Sequence, residues 1–458
     1  MIDYGKYEDA VARVNDILGN KARRAYVLTF GCQQNEADSE RVRGMARAMG
    51  YSISDTYEGA DLIVVNTCAI REHAEMKALS MLGNFKSEKT KNPDLIIGVV
   101  GCMASEPHVV ELLKTKFHYV SFAIEPNMLH LLPTVILDKL ERGRRSFIIG
   151  MDDGGIAEGI PAERSAPHKA WVSIMYGCNN FCSYCIVPYT RGRERSRASA
   201  DILKECRELI IGGAREITLL GQNVNSYKSD IDFATLVSRI AEIQGDFIIR
   251  FMTSHPKDVS DKLISVMSEY KDKVAPYFHL PLQSGSNKIL KLMHRTYTRE
   301  RFLDIANRLK ERVSGIALST DVIVGFPGEG DEDFEDTMDV LRQVGFDLVY
   351  AFKFSPRRGT PAAKMDGAPD ADVVDERMSK LLKIQDEISL SRNLPYVGTN
   401  QRVLVDSRAK RGEKNTYSAH TLSNKLVHFE SEECVVGDFV TVRIERAGAF
   451  ELIGKIMK

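Results

Sequence analysis

Three times in the first hundred or so residues, a short apolar run leads directly into a cysteine: YVLTFGC at Cys32, LIVVNTC at Cys68 and IIGVVGC at Cys102. The runs Ala25 to Phe30, Leu62 to Asn66 and Leu95 to Val100 have the length and β-branched content of strands. Helical stretches from Asn35 to Met49 and from Glu72 to Lys86 separate them. Strands that alternate with helices make a parallel α/β sheet. The strand ends of such a sheet all face one way, so thiols 36 and 34 residues apart in sequence gather on a single edge. Ligands of open α/β sheets bind beyond that edge, near a switch point, and Gly31 and Gly101 ease close backbone approach there. Any one of these cysteines alone reads as a buried structural residue; the three together read as a ligand set.

A second set is denser. Cys178, Cys182 and Cys185 form CNNFCSYC, three thiols in eight residues just after an apolar strand, in a loop that can wrap one inorganic centre. Structural zinc wants four ligands and ferredoxin-type clusters four thiolates. No histidine lies between His168 and His255, and Cys206 falls with Ile202, Leu203, Leu209 and Ile210 on the apolar face of a helix, where a thiol packs as a small hydrophobe. Three ligands leave one iron of a 4Fe-4S cluster open to a small chelating molecule; zinc or a structural knot is the alternative. With Cys32, Cys68 and Cys102, the chain is expected to hold two such clusters. Open irons are of no use to a simple electron carrier, so they imply ligands that react.

The fold class expected is α/β in three parts. An N-terminal helical extension (1–23) precedes an N-terminal parallel α/β domain (24–149), and a Gly/Pro/Ala-rich linker (150–170) follows it. From 171 to 394 come six strand-helix units, with strands near Trp171 to Tyr176, Glu216 to Leu220, Phe247 to Met252, Tyr277 to Leu280, Ile316 to Ile323 and Leu348 to Phe354. Six units without eight make a partial (βα)6 barrel, whose chemistry belongs on the C-terminal rim. A long helix from about Asp370 to Arg392 leads into short alternating strands such as Gln401 to Val405, Leu426 to Phe429 and Phe439 to Ile444, a small OB-like C-terminal β-barrel (395–458).

Net charge is −1 and the pI about 6.8, so any polyanion must bind a local patch. The N-terminus carries acidic residues and no signal-like apolar core, and the longest apolar run, Leu95 to Ala104, is about half of the roughly 20 residues a membrane span needs. A cytoplasmic protein with no membrane partner is expected.

TFGCQQNEADSER, NTCAIREHAE, GCMA, YGCNNFCSYCIVPYTRGRERSR and TSHPKD together closely resemble the methylthiotransferases of the radical S-adenosylmethionine (SAM) superfamily, from about Arg24 to the C-terminus. The family's three-part order, with a C-terminal TRAM domain, matches the boundaries above. The resemblance implies that Cys178, Cys182 and Cys185 hold a SAM-cleaving 4Fe-4S cluster, and that Cys32, Cys68 and Cys102 hold an auxiliary 4Fe-4S cluster carrying the sulfur to be transferred. It extends to SAM contacts at later strand ends: Gln222 and Asn223, Gln283 and Ser284, and Asp321 and Gly325. The implied reaction uses one SAM as methyl donor and another as radical source, and adds a methylthio group to carbon 2 of isopentenyl-adenosine at position 37 of tRNA. An unpaired loop base reaches such a pocket at low cost. Implied partners are the tRNA anticodon stem-loop, an electron donor such as flavodoxin or ferredoxin, and a sulfur or cluster carrier.

Arg191, Arg193, Arg195 and Arg197 crowd into seven residues after the dense cysteine loop, opposed only by Glu194. They are expected to face RNA phosphate, the alternative being a solvated charged face. Arg357 and Arg358 close the last barrel strand and suit either RNA or the SAM carboxylate. The segment from Tyr396 has ten Lys or Arg against eight Asp or Glu, so its RNA role rests on the TRAM resemblance. Other readings are a methylthiotransferase for threonylcarbamoyl-adenosine in tRNA or for an aspartate of a small-subunit ribosomal protein. From a different class come a non-enzymatic iron-sulfur electron carrier and a zinc-stabilised RNA-binding protein. His255, His279 and His294 are given no catalytic role.

Overall fold

The computed structural model describes residues 4–19, 21–69, 72–150, 156, 158–408 and 415–457. The chain forms two compact units: the first takes in 1–165, 175–179 and 185–197, the second 166–174, 180–184 and 198–458.

The first unit is a six-stranded, wholly parallel sheet. Its strands are β1 (Arg23–Phe30), β2 (Tyr51–Ser54), β3 (Leu62–Thr67), β4 (Ile96–Val100), β5 (Phe122–Ile124) and β6 (Ser146–Ile148), in the order β2-β1-β3-β4-β5-β6. The chain leaves β1 for β2 on one side and returns to β3 on the other, so the strand order reverses between β1 and β3. Both faces of β3 and β4 are buried, which is why these strands are continuously apolar rather than alternating. One face packs on the N-terminal helix Tyr4–Leu18 through Ala10, Val14 and Leu18, and the other on Leu82, Phe85, Val109 and Leu113. The sheet has three strands more than the sequence suggests; β2, β5 and β6 run only three or four residues, too short for an alternation to show.

Within the expected linker, Met151 to Gly155 and Ala157 lie outside the described residues. The rest is tied to the helix Gln33–Ala48, where Arg164 pairs with buried Glu40 at 2.9 Å and the Glu163 amide donates to the Glu40 carbonyl.

The second unit holds the barrel as two three-stranded parallel sheets. Lys169–Ser173, Glu216–Leu220 and Ile248–Phe251 form one; Tyr277–His279, Ala317–Val324 and Leu348–Lys353 form the other. Backbone bonds from Ile249 to Lys273 and from Ala275 to Ile249 stitch them together. The first and last strands each pair on one side only, so the barrel stays open. The first strand also ends earlier than expected: Met175–Tyr176 belongs to the first unit, where it pairs antiparallel with Arg195–Ser196. A closed five-stranded barrel follows, filled by Val403, Val405, Tyr417, Phe429, Val442, Ile444 and Leu452. Among the described residues no helix is long and apolar enough to cross a membrane.

Candidate active site: two sets of thiols

Cys32 comes two residues after β1, and Cys68 directly follows β3, the two strands that flank the reversal of strand order. Cys102 comes two residues after β4. Backbone torsion brings them together. Gly31 at φ 137° and Gly101 at φ 90° occupy conformations that favour glycine. A Cβ on Gly31 would lie 2.6 Å from the Cys68 Cβ, and one on Gly101 2.4 Å from Asn66 Oδ1. Cys68 shares side-chain hydrogen bonds with both Cys32 and Cys102.

Polar groups buried behind these thiols fix them in place. The Cys32 thiol donates to Asn35 Oδ1 at 3.3 Å, Asn35 Nδ2 donates to Asn66 Oδ1 at 2.9 Å, and Asn66 Nδ2 donates back to the Asn35 carbonyl and to Ser39 Oγ. The helix Gln33–Ala48 thus spends its buried polar face on the strand ends. Arg191, only 3% exposed, donates from Nε to Cys102 Sγ at 3.1 Å and from Nη2 to Asp38 Oδ2 at 3.0 Å. The Cys32 and Cys102 thiols are each pulled down to about 6, chiefly by the hydrogen bond to Cys68, against the opposing effect of burial and with help from the Arg191 charge. Cys68 is pushed up by those same hydrogen bonds and by burial. Three thiols at one sheet edge, with Arg191 favouring the thiolate forms of Cys32 and Cys102, are a donor set suited to iron.

Of the dense set, Cys178 and Cys185 belong to the first unit and Cys182 to the second. The Cys178 amide donates to the Gly192 carbonyl at 3.1 Å, and Ile186, next to Cys185, packs against Cys102 and Ala69. In the second unit Arg295 Nη1 donates to Cys182 Sγ at 3.3 Å. Cys206 is fully buried on the helix Ser199–Ile211.

The rim residues expected to meet SAM divide into two kinds. Asn223 is buried, with Nδ2 on Asp258 and Oδ1 lacking a partner, and Ser254 Oγ, after the next strand, also lacks one. Such orphaned acceptors and donors at the strand ends fit a polar ligand. Gln222 and Asp321 are half-buried, and Asp321 pairs with His279 at 3.3 Å. Gln283 takes φ 68° and exchanges backbone bonds with Asp321 and Ile323. Ser284 and Gly325 are engaged within the fold: Ser284 Oγ accepts from the Ser286 amide, and the Gly325 amide donates to Glu329 while a Cβ there would strike Val374.

The arginine run needs correction. Arg191 is committed to Cys102 and Asp38, and Arg197, 5% exposed, forms a two-pronged pair with Glu158. Neither guanidinium reaches solvent to meet phosphate. Arg195 is half-buried and donates to Asn127, whereas Arg193 is exposed. Arg357 is half-buried and Arg358 exposed. Asp38 and Arg295 carry little signal in the sequence, one being an acid inside the helix Gln33–Ala48 and the other an arginine in the loop after the helix Asn287–Leu292.

A model of the radical SAM superfamily matches residues 172–341, one described as uncharacterized protein family UPF0004 matches 24–124, and a TRAM domain model matches 395–457. Among solved structures, the radical SAM methyltransferase TsrM from Kitasatospora setae aligns with TM-score 0.54 at 12% identity, over 75% of this chain and 77% of that one. That likeness speaks to fold alone. The tRNA-2-methylthio-N(6)-dimethylallyladenosine synthase of Alkaliphilus oremlandii is 46% identical over 99% of this chain and 97% of its own length. The same-named protein of Acetivibrio thermocellus is also 46% identical, over 99% and 95%. With that identity spread over all three parts, the chain belongs to the tRNA-2-methylthio-N(6)-dimethylallyladenosine synthase family of radical SAM enzymes.

Proposed function

We infer that this protein is a tRNA methylthiotransferase that converts isopentenyl-adenosine at position 37 to its 2-methylthio derivative. The observation that carries the reading is the contact of Ile186, which adjoins Cys185, with Cys102 inside the first unit. When bound, two 4Fe-4S clusters and SAM supply reductive cleavage and the sulfur to be transferred.

The chain's own residues supply placement. Cys178, Cys182 and Cys185 would hold the SAM-binding cluster, and Cys32, Cys68 and Cys102 the auxiliary one. Asn35 and Asn66 keep the auxiliary thiols at the sheet's switch point. Asn223 Oδ1 and Ser254 Oγ offer polar contacts at the open barrel's rim, suited to the amino acid or ribose end of SAM. Gln222, Gln283 and Asp321 complete the polar rim. Arg193 and Arg358 are exposed and suited to tRNA phosphates. The closed C-terminal barrel is a further RNA-binding surface. A flavodoxin- or ferredoxin-like donor, a sulfur or cluster carrier, and a cytoplasmic setting complete the proposal.

The test is anaerobic reconstitution with iron and sulfide, then addition of SAM, a reductant and an anticodon stem-loop bearing isopentenyl-adenosine, read by mass spectrometry. Methylthio-isopentenyl-adenosine together with 5'-deoxyadenosine is the expected result. Alanine at Cys178, Cys182 or Cys185 should abolish 5'-deoxyadenosine, whereas alanine at Cys32, Cys68 or Cys102 should spare it and stop methylthio transfer. Full product from a Cys68→Ala chain would sink the assignment.

A further inference from the structure

In each cysteine set an arginine donates to a sulfur, Arg191 to Cys102 and Arg295 to Cys182, and the two arginines differ in what balances their charge. Arg191 donates to Cys102 Sγ at 3.1 Å and, through its other edge, to the buried carboxylate of Asp38 at 3.0 Å. Asp38 is itself held by Gln34 Nε2 at 3.1 Å. Arg41 also feels the Asp38 charge, but its own hydrogen bond goes to the Tyr176 hydroxyl. Arg295, in the second unit, donates to Cys182 Sγ at 3.3 Å, and its other partners are neutral: the Tyr297 hydroxyl at 3.0 Å and the Pro281 carbonyl at 3.3 Å. Among the described residues no carboxylate pairs with it.

The reduced form of an iron-sulfur cluster carries one more negative charge than the oxidised form. A cation hydrogen-bonded to a ligand sulfur therefore favours reduction, and a carboxylate on that cation opposes it. The effect is strong where water is excluded.

We propose that Arg191 and Arg295 are positioning residues that act through Cys102 and Cys182 to set the two clusters' reduction potentials apart, with Asp38 offsetting the first arginine and no carboxylate among the described residues paired with the second. This rests on the cluster assignment above and adds to it a division of labour. The Arg191–Asp38 pair keeps the sulfur-carrying cluster close to its intrinsic potential, while the bare Arg295 makes the SAM-binding cluster easier to reduce.

The test is an EPR-monitored redox titration of the full chain with both clusters reconstituted, without RNA, the SAM-binding cluster being identified by the change of its signal when SAM is added. Arg191→Met should shift the auxiliary cluster about tenfold toward the oxidised form, a change of about 59 mV for one electron. Asp38→Asn should shift it the opposite way by a similar factor. The double variant, which removes a neutral pair, should return to within about threefold of the unaltered chain. Arg295→Met should move the SAM-sensitive cluster toward the oxidised form and leave the other in place. A residue needed only for packing would give neither opposite signs nor cancellation.

Should Arg191→Met fail to take up iron, because it strands the Asp38 carboxylate, Asp38→Asn and the double variant carry the same test. Full iron content with the auxiliary potential unmoved in Asp38→Asn, or moved the same way in both single variants, overturns the proposal. An unaltered chain that binds no iron would overturn the cluster assignment itself, and this inference with it.

Discussion

Replacing Gly98 by alanine should loosen the strand that delivers Cys102. Gly98 sits in the middle of β4, and a Cβ placed there would lie 1.9 Å from Phe122 Cζ, 2.1 Å from Cε2 and 2.5 Å from Cε1. Carbon atoms rest at about 3.5 to 4.0 Å, so the ring must retreat by roughly 1.5 Å or more. It has nowhere to go: Phe122 is fully buried in β5 against Ile96, Val100, Ile124 and Leu132. Forcing an extra methyl into such a core costs about 1–3 kcal/mol. The single tryptophan, Trp171, lies in the second unit, so its fluorescence does not report on this sheet. Hydrogen exchange of the β4 and β5 amides does, and that penalty corresponds to about 5- to 150-fold faster exchange. Phe122→Leu in the same chain should relieve the clash, so that the double variant is more protected than the two single effects predict. Exchange within about twofold of the unaltered chain would show that the sheet yields there, and that the close packing of β4 on β5 is not what holds Cys102 in place.

Two further outcomes follow from buried charges. His255 is buried, and its Nδ1 accepts from the Lys257 amide at 3.2 Å. Burial, then the Arg295 and Lys257 charges, push it down to about 2 from an ordinary 6.5. A depressed histidine gives stability that is complete above its unfolded value and lost as pH falls below it, because only the unfolded chain then binds the proton. Between about pH 6 and the onset of carboxylate titration, stability should fall by up to about 1.4 kcal/mol per pH unit. His255→Asn, which keeps an acceptor for the Lys257 amide, should flatten that slope in urea denaturation followed at several pH values; an unchanged slope would refute it. Arg250 binds Glu216 at 2.8 Å and the carbonyls of Thr421 and Leu422. Arg250→Met strands a buried carboxylate, which is held below the usual range by Arg250 and Lys169 against burial, and should cost about 3–5 kcal/mol in Trp171-monitored denaturation. A loss under about 1 kcal/mol would mean that Lys169, 3.8 Å away, suffices.

What the sequence made legible follows from how many residues state each feature. The strands ahead of Cys32, Cys68 and Cys102 announce themselves because both faces are apolar, and the cysteines announce the common edge. Strands of three residues, such as Phe122–Ile124 and Ser146–Ile148, offer no period to detect. The strand expected to run from Trp171 to Tyr176 reads as one apolar stretch, yet its last two residues belong to a different sheet, a fact set by Arg195 and Ser196 twenty residues on. The arginine run misleads for a related reason. Charge density in sequence points to solvent, but Asp38 and Glu158, distant in sequence, supply buried partners that no local pattern reveals.

The way the first unit recruits residues 175–179 and 185–197 has a consequence for dissection and inheritance. A fragment ending at Ser165 would keep Cys32, Cys68 and Cys102 but forfeit Arg191 and the Ile186 side chain that covers Cys102, stranding the Asp38 carboxylate. Domain shuffling at the obvious glycine-rich seam would cut such a chain in the wrong place. The cysteine-bearing sheet and the stretch that follows CNNFCSYC must be exchanged together or not at all, so recombination among relatives should leave intact parental blocks spanning that seam.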